Sequence, residues 1–494
     1  MKRIFIALEE EDISYLHFKS NTNLEMSFSG KADFDVLVDK NRISDIETIL
    51  LANNGKRHNP IRFGQYPCVD NWLIFDEDTG NIYHLHLHYQ IATGKTLLKE
   101  YILPWSKLLF KTRVKDSEFD IYITDPSLEL ILLTARSVLK SRASDWIRAR
   151  IGSYKIHNSL NNERYDLRSK ADWKKTENYL YSLFDEGSVP ELLRIMQADS
   201  IKSRDFRKLT RIIRKTLKYQ RRFSPFTSQL LSSYYRFRDL LNKFNSRKCG
   251  KCPIIKKTSL TGGLIIAFVG VDGAGKSTMT KEIASWIGKK IECKRFYMGT
   301  GDGKTTVFVS AMKKANKVAG DRGINAGSDG KVLTFFNNPF GFIRKLAKLF
   351  VVCDVEKNNS KKIFKMQQYK LNGGISLLDR YPQIEVDGQN DGPKVCIYER
   401  IFGDTWYIRR LKKKEKDCMS IVKHVVPDVV FRLNISASTS MARKPEQKDI
   451  EVFKQKIVDL NRITFQGATI IDIDAEQPYE EELLEVKRVL WRYI

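Results

Sequence analysis

The sequence predicts an α/β protein in two parts. The C-terminal part is a parallel sheet with helices on both faces, and the N-terminal part is an α+β domain with a helical extension. Three observations carry that prediction. A glycine-rich nonapeptide, GVDGAGKST at residues 270–278, sits between an apolar strand and a helical pattern. After residue 262 strand-like and helix-like segments alternate, as βαβ units do. Near the N-terminus Asp33 and Asp35 lie two apart in an apolar strand, and a long helical stretch comes later. A chain of 494 residues is too long for one core. The expected division is a domain over 1–125, a basic helical region over 126–244, a linker over 245–261 and a second domain over 262–494.

Composition narrows the function classes. Hydrophobic residues make up 42%, an ordinary globular share. No apolar run approaches the roughly 20 residues of a membrane span. The first residues are basic and then briefly apolar, but Glu9, Glu10, Glu11 and Asp12 follow at once, too soon for a signal segment. The expectation is a soluble cytoplasmic chain that can sit peripherally at the inner face of a membrane. Seven cysteines, an odd number, argue against a disulfide framework. Cys249 and Cys252 form a C-x-x-C without a second pair, and read as reduced thiols in the linker. The net charge of +26 points to polyanionic partners, an acidic membrane surface or a phosphorylated glycan before nucleic acid. Diffuse surface lysine is the plainer alternative.

In the N-terminal domain the period of two puts Asp33 and Asp35 on one strand face, where two carboxylates can hold Mg²⁺. The later strand IYHLHLHY, residues 82–89, places His84, His86 and His88 on one face. They could bind a transition metal, pack as a polar face on the Asp33/Asp35 strand, or lie on an edge strand. The D-h-D strand after a small-residue turn resembles the polymerase-β-like nucleotidyltransferase superfamily, over about residues 1–150. That resemblance implies that Asp33 and Asp35 are metal carboxylates, and that Ser20 and Gly30 belong to a triphosphate-holding loop. The chain departs from the family in two places. Its turn reads Lys19-Ser20-Asn21, and no third carboxylate is evident. The domain is therefore either a divergent enzyme or one that only binds.

Asp125-Pro126 starts a helix, with Asp as N-cap and Pro in the first turn. From there to about residue 245 the pattern is mainly helical. Over 202–222, Phe206, Leu209, Ile213 and Leu217 form an apolar stripe, and Arg207, Lys208, Arg211, Arg214, Lys215 and Lys218 cover the rest. This reads either as a core-facing helix with a solvated basic face or as a polyanion-binding helix. Tyr234, Tyr235, Phe237 and Phe244 interleave with Arg236, Arg238 and Lys243, a pattern that suits base stacking or helical packing.

The nonapeptide matches G-x-x-x-x-G-K-[ST] at every defined position. Gly270, Gly273, Ala274 and Gly275 let the backbone curl with N–H groups inward around phosphate oxygens, and the helix after Thr278 aims its positive end there. Lys276 reaches the β- and γ-phosphates and Ser277 ligates Mg²⁺, so ATP and Mg²⁺ are the expected cofactors. A second strand over 294–298 leads to a turn, residues 299–303, that either holds an acceptor phosphate or is a plain turn. The strand over 375–379 ends in Asp379, a metal-holding position at the sheet's carboxyl edge. Arg380 beside it can clamp a phosphate with two prongs.

GVDGAGKST, then Asp379-Arg380-Tyr381, then PDVVFRL at 427–433, is similar to the thymidylate kinase family over about residues 262–494. The resemblance implies that Asp272 lies near the acceptor. It also implies a mobile lid near residues 441–445, with Arg443, Lys444 and Lys448 as candidate cations over the transferred phosphoryl group. The family's Arg-Glu-Pro-Gly turn and its thymine-reading segment are absent, and a basic insertion occupies about 305–368. The donor machinery is kept and the acceptor machinery is rewritten. The expected function is Mg-ATP-dependent phosphoryl transfer to a phosphorylated small-molecule or glycan acceptor, with acceptors other than dTMP favoured. Chains of this architecture resemble accessory enzymes of surface-polysaccharide synthesis. The alternatives are a non-catalytic ATP-binding module on a membrane or polyanion, and a nucleic-acid end-processing enzyme.

Overall fold

The structure is a computed structural model that describes residues 1–60, 65–151, 158–248, 256–299, 339–443 and 450–494. The chain forms two compact units, Met1–Lys251 and Cys252–Ile494. Cys249, Cys252, Lys444, Lys448 and most of the 299–303 turn lie outside the described residues.

In the first unit the strands are β1 (Tyr15–His17), β2 (Phe34–Val38), β3 (Gly55–Asn59), β4 (Val69–Phe75), β5 (Ile82–His88), β6 (Ile91–Thr93), β7 (Tyr101–Leu103), β8 (Val114–Lys115) and β9 (Tyr122–Ile123). A mixed sheet runs β3-β4-β5-β2-β1-β9-β8, and β6 pairs with β7 apart from it. Alternation decides its faces. Phe34, Val36 and Val38 of β2 and Leu85 and Leu87 of β5 pack with Ile4, Phe5 and Leu8 of the helix Lys2–Glu10. Leu37 points the other way, into the core of the helical extension, and Asp35 shares that face. β5 runs between β4 and β2, so the histidine strand is interior rather than an edge.

The helix Pro126–Leu139 is the spine of the extension. Asp125 caps it by accepting from Ser127 N at 2.9 Å, Pro126 sits in its first turn, and nearly every residue of it is buried. The helix Ser203–Thr216 buries Phe206, Leu209 and Ile213, with Leu217 just beyond it. Three such side chains contribute about 2 kcal/mol each, so this is a core-facing helix with a charged outer face. That face is partly paired, Lys208 with Glu191 at 2.7 Å and Asp205 with Arg194 at 2.6 Å. In the next helix, Pro225–Lys248, the interleaved aromatics are not packed inward: Tyr234, Phe237 and Phe244 are exposed.

The second unit begins with β10 (Thr258–Ser259) and is built on β11 (Leu264–Gly270), β12 (Cys293–Tyr297), β13 (Ile375–Asp379), β14 (Val429–Asn434) and β15 (Thr469–Asp474). The last five form one sheet in the order β12-β13-β11-β14-β15, parallel throughout. Ile265, Ile266, Ala267 and Phe268 of β11 are fully buried, as a central parallel strand covered on both faces requires. The chain leaves β11 in one direction for β12 and crosses to the other side for β14, so the carboxyl end of β11 is the switch point where such sheets bind ligands. The helix Pro339–Leu371 covers the second part of the predicted insertion. Among the described residues no helix is long and apolar enough to cross a membrane.

Candidate functional site

The loop after β11 turns into the helix Lys276–Gly288, whose first turn is Lys276, Ser277 and Thr278. That helix begins three residues earlier than its apolar pattern predicts. Gly275 caps it with φ +84°, so no side chain competes for the first free N–H groups and they stay open to an anion. Gly273 also has a positive φ, +90°, and a Cβ there would stand 3.1 Å from Ser440 Oγ. Ser440 donates its hydroxyl to the Asp272 carbonyl oxygen and pins the loop from the helix Ala437–Arg443. A Cβ on Gly270 would stand 2.9 Å from Leu433 O of the neighbouring strand, so only glycine lets β14 approach.

Lys276 is buried, and its Nζ donates to Val271 O at 2.7 Å. Burial, and next the Arg380 charge, push its pKa down to about 8, against the pull of Asp272, Asp391 and Asp379. Ser277 and Thr278 are exposed at the mouth of the loop. Asp379 pairs in register with Phe268 of β11, is fully buried, and has both carboxylate oxygens without a hydrogen-bond partner among the described residues. A carboxylate placed so is costly unless a cation meets it. A divalent ion bound beside it would meet that need.

The Arg380 N–H donates to Phe268 O at 3.0 Å, continuing the β13–β11 ladder, and its backbone is left-handed, φ +73°. For a non-glycine residue this costs about 1 kcal/mol. It aims the guanidinium at the loop, where Nη2 donates to Asp272 Oδ1 at 2.8 Å and Nη1 stands 3.7 Å from Asp391 Oδ2. Burial opposes its charge, but Asp391 and Asp272 outweigh burial and hold its pKa above the usual arginine value. Asp391 is a residue the sequence did not single out. The loop over 383–392 carries it. Buried Gln383 accepts from Glu385 N at 2.6 Å and Val386 N at 2.7 Å, and donates to Val386 O at 2.7 Å and Gln389 O at 3.0 Å. A small cleft opens between Gly270, Lys276, Arg380, Asn390, Asp391 and Phe465.

Arg443 ends the helix Ala437–Arg443 with its guanidinium against two backbone carbonyls, Gly273 O at 3.4 Å and Ala475 O at 3.1 Å. It thus braces the outer side of the loop.

In the first unit the predicted carboxylates and histidines meet on the sheet face toward the helical extension. His84 Nδ1 stands 2.9 Å from Asp33 Oδ1. His86 Nδ1 at 3.2 Å, His88 Nε2 at 3.1 Å and Lys19 Nζ at 2.7 Å all converge on Asp35 Oδ1. In the parallel β2/β5 register His86 lies opposite Asp35. Burial works against the charge on Asp35, yet Lys19 and the two histidines hold its carboxyl well below the usual range. Burial pushes His88 down to about 3. Asp33 and Asp35 are therefore not an equivalent pair, since Asp35 already has a lysine ammonium. Ser20 has a left-handed backbone beside this cluster's Lys19, and Gly30 lies in the turn before β2.

No family model matches the chain. It is 29% identical over 222 residues to the uncharacterized ATP-binding protein YghS of Escherichia coli K12, covering 44% of this chain and 89% of that one. It is 26% identical over 227 residues to the uncharacterized ATP-binding protein YghR of the same strain, covering 46% and 86%. Among solved structures, deoxyadenosine kinase from M. mycoides with bound dCTP superposes with a TM-score of 0.27 and 15% identity, covering 47% of this chain and 100% of that one. At that score the likeness adds nothing to the topology read from the sheet itself. The strand order, the loop at the switch point and the buried carboxylate beside it make the C-terminal unit a P-loop α/β region.

Proposed function

We propose that the C-terminal unit transfers a phosphoryl group from Mg-ATP to a phosphorylated acceptor. The observation that carries this is the meeting, on one sheet edge, of Lys276, an Asp379 carboxylate with no hydrogen-bond partner among the described residues, and an Arg380 held by two carboxylates. The ATP-binding names of the relatives support the donor. The open N–H groups at residues 276–278 hold the donor phosphates, and Lys276 supplies charge to the group in flight. Ser277 and Asp379 are the residues that would hold Mg²⁺, which would neutralise phosphate charge there. Arg380 can release Asp272 or Asp391 and clamp an acceptor phosphate, while Asp272 orients the acceptor. Arg443 keeps the donor side of the loop in shape.

The thymidylate-kinase likeness extends to the donor half alone, because the sequence after Tyr381 runs through Gln383, Asn390 and Asp391 and lacks the family's thymine-reading segment. The acceptor we favour is a nucleotide-like or sugar phosphate, including those used in surface-polysaccharide assembly. For the N-terminal unit, the Lys19–Asp35 pair favours a divergent nucleotidyltransferase-like domain over one with two equivalent Mg²⁺ carboxylates. The arginines of a cleft lined by Trp146, Arg150, Arg207, Arg211 and Arg214 support the reading of a polyanionic partner or an acidic membrane surface.

The test is a screen of nucleoside monophosphates, sugar phosphates and lipid phosphates with labelled Mg-ATP. Turnover of one class, reduced at least 100-fold in Lys276→Ala, is the expected result. Label transferred to none of them, with Lys276→Ala changing ATP binding alone, refutes the kinase reading and leaves a nucleotide-binding module.

A further inference from the structure

We infer that the first unit binds one divalent transition-metal ion of the Zn²⁺, Co²⁺ or Mn²⁺ class, held by Asp33, His84 and His86. The ligand atoms of these three residues lie within 4.8 Å of one another. A tetrahedral ion with bonds of about 2.1 Å sets its ligands about 3.4 Å apart, so side-chain turns of an ångström or so close the site. The residues come from adjacent strands: His84 and His86 from β5, and Asp33 just ahead of β2. Backbone pairing of β5 with β2 fixes the two histidines, and Asp33 is the residue that leads into β2.

The hydrogen-bond accounting at His84 points to a cation. Its Nε2 faces Asn71 Oδ1 at 3.3 Å and its Nδ1 faces Asp33 Oδ1 at 2.9 Å. A neutral imidazole has a hydrogen for only one of two oxygen acceptors. With Nε2–H given to Asn71, a metal ion between Nδ1 and Asp33 satisfies both. Asp35 does the same for His86. It takes the Nδ1 hydrogen, so that Nε2 carries the lone pair a metal uses, the carboxylate–histidine–metal arrangement.

A second cluster, Asp35, His86 and His88, also has metal-like spacing. Its cation position is already met by Lys19, 2.7 Å from Asp35. The sheet face therefore has two cation positions, one served by a lysine ammonium and one suited to a metal. Two nitrogens and one oxygen select a first-row transition ion over Mg²⁺, which prefers oxygen alone. Asp33 is 38% exposed, so the site opens to solvent and keeps a coordination position for water or a phosphate oxygen.

The test uses the full chain in a Cys249→Ser, Cys252→Ser background, so that the C-x-x-C cannot supply ligands. The protein is stripped with chelator and titrated with Co²⁺ and Zn²⁺. One equivalent of Co²⁺ should bind with visible d–d bands, displaced by Zn²⁺ and not by millimolar Mg²⁺. His84→Gln and His86→Gln should weaken binding at least 100-fold, and Asp35→Asn 10- to 100-fold through loss of orientation. Asp33→Asn, at a partly exposed position, tests the same ligand set if a histidine variant does not fold. Lys276→Ala should leave the titration unchanged. No saturable Co²⁺ signal, or a signal equal in folded Asp33→Asn and His86→Gln, overturns the inference. Equal competition by Mg²⁺ does so too, since it marks a plain carboxylate site.

Discussion

Replacing Asp379 by Asn should make the ligand-free C-terminal unit more stable and its nucleotide-bound form less stable than wild type. Asp379 is fully buried and neither carboxylate oxygen has a hydrogen-bond partner among the described residues. A buried polar group in that state costs about 1–3 kcal/mol, and more when charged. The Lys276 charge returns part of that, and the asparagine amide still lacks partners. The net gain on removing the charge is therefore about 1 kcal/mol, or about 2–4 °C for a unit of this size. Mg-ATP at about 100 times its dissociation constant stabilises wild type by about 2.7 kcal/mol. If loss of the carboxylate weakens that complex about 100-fold, the same concentration stabilises the variant by about 0.4 kcal/mol. The two melting curves should then exchange order when Mg-ATP is added, and acceptor turnover should fall at least about 100-fold. The assay is differential scanning calorimetry of the full chain with and without Mg-ATP, read on the transition that moves with nucleotide. A variant already less stable without ligand, or one that keeps the whole Mg-ATP shift, would show that Asp379 is an ordinary strand-end residue.

Burial and the Arg380 charge push Lys276 down to about 8, and the phosphates of a bound nucleotide should raise it again. Calorimetry in buffers of different ionisation heat should show proton uptake on nucleotide binding that grows from pH 6.5 to pH 8.5 and is absent in Lys276→Met. Glu129 is buried, receives Asn21 N at 3.1 Å and Asn21 Nδ2 at 2.7 Å, and is pushed by burial up to about 7. A raised carboxyl pKa means that the folded state holds the extra proton, so the first unit should lose about 2 kcal/mol as pH rises from 5 to 8. Glu129→Gln should flatten that loss to under about 1 kcal/mol in urea denaturation, and an unchanged slope would assign it to other groups. Arg164 is buried and donates to Ile195 O at 3.2 Å, Met196 O at 3.1 Å and Asp199 O at 3.1 Å, closing the end of the helix Val189–Gln197. Arg164→Met should destabilise the first unit by about 2–4 kcal/mol while turnover per folded C-terminal unit stays constant. Equal loss of turnover would place Arg164 in the catalytic route.

The second unit was legible because its chemistry sits in contiguous sequence. The run Leu264–Gly270 is apolar at every position, as only a strand covered on both faces can be, and the motif follows it directly. Asp379 could be found for the same reason, as the polar end of an apolar run. Asp391 could not. Its turn composition says only that the chain reverses, and its approach to Arg380 depends on buried Gln383 gathering four backbone partners. The Arg380 backbone, left-handed at a residue that rarely adopts it, had no local signal either. The basic helix shows the opposite case. Its 3.6-residue stripe over Phe206, Leu209, Ile213 and Leu217 outweighed its charge count, and the stripe proved the better guide to where it packs.

The first unit shows how far a period of two can be taken. Alternation sorted Asp33, Asp35, His84, His86 and His88 onto faces, because Phe34, Val36, Leu85 and Leu87 claim the other side for the core. It could not say that β2 and β5 are neighbours, run parallel and set His86 against Asp35, since pairing joins residues 51 apart in sequence. It also could not show Lys19 reaching Asp35. That contact changes the chemistry more than any motif residue does. A D-x-D strand offers two carboxylates to metal only when neither has a closer cation, and here one of them has an ammonium built into the fold. The second carboxylate keeps a histidine pair in place of a third acid. The same strand pattern that implies paired Mg²⁺ sites thus supports a site with nitrogen ligands, one metal position and one lysine. Lys19→Met supplies the decisive comparison: it should let a second divalent ion bind at Asp35, His86 and His88 if the lysine holds a cation position, and leave the stoichiometry at one if it does not.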